Sequence, residues 1–185
     1  MSEITVAIRY AKSLIDLAIE QNALEEVNKD MDLFIRTIKA NPQLNAVLAN
    51  PIIYHDKKIK ILEDIFANKV SKVTIAFFKL MVNKSRAEIL YPAALELINQ
   101  YDVKKNIVKA SVVSAKALSE ENKKTIIAEI EKSTGGTVKL STKIDPELIG
   151  GFVLTVGDKQ VDTSISSSLA RLKRDFAHRV VPVAK

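Results

Sequence analysis

DPELIGGFVLTVGDKQVDTSISSSLARLKRDF, residues 145–176, packs a turn, a glycine-hinged hairpin and an amphipathic helix into one run of sequence. Pro146 restricts φ at a turn position, and Gly150-Gly151 admits backbone conformations that a Cβ would penalise. Phe152 to Val156 is aromatic and β-branched, Gly157-Asp158 is a turn dipeptide, and Lys159 to Thr163 returns the chain as an antiparallel partner. Beyond the hairpin, Ile165, Leu169, Leu172 and Phe176 recur at i, i+4, i+7 and i+11, which places all four on one helix face. Nothing in the stretch has a catalytic pattern. It describes a shaped surface.

Upstream of it, Ile107 to Ser114 (IVKASVVS) is a β-rich run, and Ser119 followed by Glu120 and Glu121 marks a helix start with acidic residues in the first turn. That helix turns Ile126, Ile127 and Ile130 inward and stops at Gly135-Gly136. Val138, Leu140, Thr142 and Ile144 then alternate with Thr137, Lys139, Ser141 and Lys143, the two-residue period of a half-buried strand. The order strand, helix, strand, strand, strand, helix predicts a small α+β domain over residues 106–185.

Residues 1–105 have helical periodicity throughout, and the change of pattern near Lys104 to Asn106 marks a domain boundary. The first helix, from Glu3 or Ile4 to Gln21, carries Ala7, Tyr10, Ala11, Leu14, Leu17 and Ala18 as its apolar stripe. The second carries Leu24, Val27, Met31, Phe34, Ile35 and Ile38 up to Asn41-Pro42, where asparagine caps and proline opens a short third helix with Leu44, Val47 and Leu48. The fourth presents Ile59, Leu62, Ile65 and Phe66, with Lys57, Lys58 and Lys60 assigned to a solvated face. The fifth, from about Ser71, is apolar nearly all round: Ile75, Ala76, Phe77, Phe78, Leu80, Met81 and Val82. Such a helix is central to a bundle or covered by a partner. Ser85 with Glu88 reads as a capping box for a sixth helix that buries Ile89, Leu90, Ala93, Ala94, Leu97, Ile98 and Tyr101. Short loops favour antiparallel neighbours, so an all-α six-helix bundle is expected.

The chain has 185 residues, 47% of them hydrophobic, enough for one domain or two small ones. It has no cysteine, which removes disulfides, thiolate metal sites and a cysteine nucleophile. No apolar run is long enough to span a bilayer, and the opening MSEITVAIRYAKS has neither signal-peptide nor transit-peptide character, so a cytoplasmic location is expected. A net charge of +6 raises nucleic acid as a partner. Residues 1–105 carry 15 Lys+Arg against 13 Asp+Glu and residues 106–185 carry 13 against 9, so only the tail, with Arg171, Lys173, Arg174 and Arg179, is locally basic. Aromatics are 5% and form no stacking platform, which weighs against nucleic acid.

The two histidines, His55 and His178, lie in different predicted domains without partners at ligand spacing. Neither Gly-Gly pair continues into a phosphate loop, and Asp145, Glu147, Asp158 and Asp162 lack calcium-loop spacing. No enzyme, cofactor or metal is expected. A binding or structural protein remains, in which the fifth and first helices make a groove for a partner's amphipathic helix or simply form core. A nucleic-acid-binding module built on the mixed domain and basic tail is the alternative.

IDPELIGGFVLTVGDKQVDTSISSSLARL resembles the C-terminal signature of the delta subunits of bacterial F-type ATP synthases, counterparts of the mitochondrial oligomycin-sensitivity-conferring protein. Tyr10-Ala11 with Leu14, Asn50-Pro51 with the lysine of the fourth helix, Asn83 with Arg86, and Ala117-Leu118-Ser119 extend the resemblance over essentially the whole chain. It implies a non-catalytic stator subunit, peripheral on the cytoplasmic face of the bacterial membrane, that links the catalytic head to the peripheral stalk and resists rotor torque during proton-driven synthesis. It further implies that the helical domain binds N-terminal helices of the alpha subunits, mapped here to Tyr10, Ala11, Leu14, Phe78, Met81 and Val82. Attachment to the stalk b subunit is mapped to Gly150, Gly151, Asp162, Ile165 and Leu169. The tail from Ala177 matches no motif.

Overall fold

The structure, a computed structural model, describes residues 3–179, with side chains described through residue 176; residues 1, 2 and 180–185, and the side chains of Ala177, His178 and Arg179, lie outside the described residues. The chain divides into two compact units, residues 1–104 and 105–185. The first is helical and the second mixes helices with one sheet.

The helical unit comprises α1 (Glu3–Glu20), α2 (Leu24–Ala40), α3 (Pro42–Ala49), α4 (His55–Phe66), α5 (Lys72–Asn83), a 3-10 turn (Ala87–Ile89) and α6 (Leu90–Lys104). α6 packs against α1 and α2. Ala7, Ala11 and Ala18 on α1 and Ala93 and Ala94 on α6 are all buried, and their small side chains let the backbones approach closely. Phe34, Phe66 and Phe78 tie α2, α4 and α5 together, with ring centroids 4.8 to 5.8 Å apart. Burying one such ring is worth about 3–5 kcal/mol against alanine, so this cluster is a large local contribution.

Several local assignments change in three dimensions. Leu17 turns outward at 41% exposure, while Val6 and Ile15 join the buried face of α1. Asn41 makes no side-chain cap for α3; its Nδ2 donates to Thr37 O at 3.2 Å and closes α2 instead. Lys58 is not solvated: it is 5% exposed, and its ammonium donates to Leu48 O at 2.6 Å, satisfying a carbonyl at the end of α3. Ser85 forms no capping box. With φ +57° it sits in the left-handed position after α5, where Arg86 N–H donates to Met81 O and Ser85 N–H to Val82 O, both at 2.9 Å. That is a helix stop with serine where glycine is usual, and α6 begins only at Leu90.

Asp30 on α2 is a buried carboxylate in this unit, 8% exposed. Its Oδ2 accepts from Ser71 N and from Thr74 Oγ1, each at 2.8 Å, at the N-terminus of α5. Ser71 Oγ also accepts from Thr74 N. The Ser71 and Thr74 amides at the start of α5 thus have partners, and a negative charge meets the positive end of the helix dipole. Near the end of α6, the Tyr101 hydroxyl donates to Glu25 Oε2 at 2.7 Å. That bond, then burial and the Glu25 charge, push the Tyr101 hydroxyl up to about 12.

In the second unit the sheet order is β2-β1-β3-β4. β1 (Ile107–Ser114) pairs in parallel with β2 (Thr137–Ile144), Ile107 opposite Thr137 and Ser114 opposite Ile144. A parallel pair needs a crossover, and α7 (Glu120–Thr134) supplies it. Ser119 Oγ accepts from Asn122 N at the start of α7, and Gly135 ends it with φ +67°. β3 (Phe152–Val156) runs antiparallel to β1 and forms the hairpin with β4 (Lys159–Asp162). Ala110 and Val112 on central β1 and Ile130 on α7 are buried. On edge strand β2, Val138 and Leu140 are half-buried, but Thr142 and Ile144 are exposed, so the alternation marks a face that is covered only in part. α8 (Ile165–Arg179) completes the unit.

Replacing Asp30 by alanine should lower the stability of the helical unit by about 2 kcal/mol in urea unfolding, because an amide and a hydroxyl lose their acceptor away from bulk water. Tyr101 holds its proton more tightly folded than unfolded, so its contribution is complete below about pH 10 and is lost as pH rises toward 12. Tyr101→Phe should flatten that alkaline loss in urea unfolding followed across the window.

Candidate functional site

A groove of about 600 Å³ opens on the helical unit between α1 and α5. Tyr10, Ser13, Leu14, Leu17 and Gln21 form one wall, and Lys72, Val73, Ala76, Phe77 and Leu80 form the other. Tyr10 and Phe77 meet edge to face with centroids 6.5 Å apart. Leu17 and Leu80 are 41% and 47% exposed, an apolar display that ordinary surfaces scatter rather than align. From Tyr10 to Gln21 the α1 wall runs about 16 Å, or roughly three helical turns. Ser13 Oγ donates to Arg9 O at 2.9 Å, so this hydroxyl already has an acceptor. The lining holds no carboxylate and no histidine. It suits the apolar face of an amphipathic helix, with polar groups left at the rim.

Of the residues mapped from sequence to this contact, Tyr10 lines the groove and Leu14, 2% exposed, forms its floor. The other four do not line it. Ala11, Phe78, Met81 and Val82 are at most 1% exposed and belong to the core. The groove face of α5 is instead Val73, Ala76, Phe77 and Leu80, about 100° around the helix. Both sets repeat at helical spacing: Thr74, Phe78, Met81 and Val82 read as one stripe, and Val73, Ala76, Phe77 and Leu80 as another. On a helix apolar all round, periodicity carries no phase. The usable signal was Ser71 and Thr74, whose small hydroxyls mark the side that Asp30 holds.

In the second unit, Gly150, Gly151 and Asp162 form the joint between the hairpin and α8. Gly151 has φ +76°, and a Cβ there would run into the Thr163 carbonyl oxygen. A Cβ on Gly150 would lie 2.6 Å from Ile165 Cδ1, and Gly150 O accepts from Ile165 N at 3.0 Å. Asp162 Oδ1 accepts from Ser164 N at 2.8 Å and Oδ2 from Ser167 Oγ at 2.6 Å, while Ser164 Oγ accepts from Ser167 N. These are capping bonds for α8, and the spacing Asp162, Ser164, Ser167 is their signature in the sequence. The Ser167 hydroxyl first, then the Ser164 amide, hold the Asp162 carboxyl below its ordinary range. Ile165 meets the joint at Gly150 yet is 47% exposed, and Leu169, Leu172 and Phe176 continue its row along α8 at 52%, 51% and 62% exposure. The apolar face of α8 is therefore open rather than packed.

Among the described residues, no group of three or more His, Cys, Asp or Glu side chains is placed to hold a metal ion. No described helix is long and apolar enough to cross a membrane. His55 is exposed at the start of α4, its Nε2 3.3 Å from Ser85 Oγ.

Residues 6–176 match the family model described as ATP synthase delta (OSCP) subunit. The chain is 39% identical over 181 residues to ATP synthase subunit delta of Cytophaga hutchinsonii, covering 98% of this chain and 99% of that protein. It is 35% identical to the corresponding subunit of Chlorobaculum tepidum, over 95% of this chain and 97% of the relative. Among solved structures, a chain of the Toxoplasma gondii mitochondrial ATP synthase hexamer is similar in fold, with a TM-score of 0.67 over 92% of this chain and 97% of that one at 22% identity.

The capping bonds at Asp162 give a pH test. Because its folded carboxyl is more acidic than normal, its contribution is present above the ordinary carboxyl range and is lost as pH falls through the lowered folded value. Asp162→Asn should shift the acid-induced loss of α8 helicity, followed by circular dichroism or by amide exchange at Ser164 and Ser167, and leave the helical unit unchanged.

Proposed function

The chain belongs to the ATP synthase delta (OSCP) subunit family, and from that membership we propose how its surfaces serve a stator subunit of the rotary synthase. Such a subunit is a peripheral component of the membrane-bound complex and acts mechanically. While the rotor turns inside the head, the head must be held, or rotation would carry it round without driving ATP synthesis. The role calls for two firm attachments and for no catalytic group on this chain.

We infer that α1–α6 work as one six-helix bundle whose groove takes the N-terminal helices of the alpha subunits, and that residues 106–185 attach to the stalk b subunit at the cytoplasmic face of the membrane. The observation that carries the head-side reading is the open apolar groove between α1 and α5. Three or four apolar anchors buried there contribute about 1.5–3 kcal/mol each, enough for tight binding after the cost of immobilising a peptide. The apolar part of this attachment depends little on salt, since screening acts on charges and not on apolar burial. On the stalk side, the row Ile165, Leu169, Leu172 and Phe176 supports a contact along α8. The glycines and Asp162 serve by fixing where that helix starts. The alternative of a nucleic-acid-binding module has no support in the family to which the chain belongs.

Phe77→Asp and Leu80→Asp change exposed or half-buried groove walls, whereas a charge at Phe78 would break the core. Both groove variants should keep the circular dichroism of the unchanged protein and bind a synthetic alpha-subunit N-terminal peptide about ten- to a thousand-fold more weakly by calorimetry. Unchanged affinity in both folded variants would remove the groove assignment.

A further inference from the structure

We propose that the Tyr10 end of the groove holds a carboxylate site, in which Arg86 selects a helix carrying an acidic side chain and sets the direction in which that helix lies. The proposal rests on the groove reading above and adds a ligand chemistry to it. A second cleft of about 220 Å³, lined by Val6, Arg9, Tyr10, Ser13 and Arg86, shares Tyr10 and Ser13 with the apolar groove, so the two form one continuous surface.

Arg86 is half-buried, with its guanidinium carbon 6.0 Å from the centroid of the Tyr10 ring. Lying over a ring occupies a face of the guanidinium and leaves its N–H edge for a planar acceptor. Among the described residues no carboxylate pairs with Arg86. Its backbone is held by the stop of α5, where its N–H donates to Met81 O. The charge is therefore presented from a fixed turn. Neither groove nor cleft is lined by an acidic residue. A cation beside an apolar wall, with no counter-charge of its own, favours a ligand that brings one.

The apolar groove by itself would accept a helix in either orientation, because anchors at i, i+3, i+4 and i+7 read much the same from both ends. A bidentate pair between Arg86 and a carboxylate at one end breaks that near-symmetry. For a torque-bearing contact, a single orientation fixes where the rest of the alpha chain leaves the groove.

The test measures calorimetric affinity of the full chain for the alpha-subunit N-terminal peptide, and for peptides with each Asp or Glu changed to its amide. Arg86→Ala should weaken the parent peptide about tenfold, and more at low than at high salt. One amide peptide should lose the same factor against the unchanged protein and nothing further against Arg86→Ala, whereas Arg86→Lys keeps part of the affinity. If the Arg86→Ala loss is absent, or is the same for every amide peptide, the carboxylate site is wrong, and the groove still stands so long as Phe77→Asp weakens binding as expected above. A parent peptide that does not bind the unchanged protein overturns groove and carboxylate site together.

Discussion

The Asp30 carboxylate governs the packing of the helical unit. By accepting from the Ser71 amide and the Thr74 hydroxyl, it holds the first turn of α5 against α2 and so sets the rotation of a helix whose own sequence is apolar in every direction. Once Thr74 faces Asp30, the helical repeat turns Phe78, Met81 and Val82 inward. Phe78 then meets Phe34 and Phe66, while Phe77 is left to meet Tyr10 at the surface. Two adjacent phenylalanines thus have opposite duties, one in the core and one in the groove wall. A polar bond of modest net strength decides between two apolar faces that hydrophobicity alone would leave nearly equal.

The second unit uses the same device with different parts. Asp162 and Ser164 cap α8 against the hairpin, and the glycines at 150 and 151 admit the close approach that this junction requires. The apolar row of α8 is directed into solvent instead of against the sheet. Each unit therefore presents an apolar strip on a helix fixed by a buried or capped polar contact. That arrangement suits a stator, because apolar contacts supply binding strength while capped termini keep the presenting helices from fraying under load.

Some features were legible in one dimension because their signals are local. The hairpin around Gly157-Asp158, the Ser119 start of α7 and its Gly135 stop follow from turn and cap chemistry confined to a few neighbouring residues. Other readings failed where a short motif had two meanings. Ser85 has the spacing of a capping box with Glu88, yet it terminates α5, because a left-handed residue there closes two backbone bonds at the helix end. Lys58 looks solvated by composition, but its stem is long enough to cross apolar surface and place the ammonium on Leu48 O.

By itself the amino-acid sequence determined most of the helices, the strands of the second unit and the family to which the chain belongs. Those properties depend on residue type and spacing along the chain. Tertiary structure alone decided which side of α5 faces the core, that Leu17 and Leu80 share a groove, that Arg86 lies over Tyr10, and that the α8 row stays uncovered. Each of these depends on a contact between residues far apart in sequence, such as Asp30 with Thr74, and periodicity gives a helix its stripe without saying what the stripe will meet.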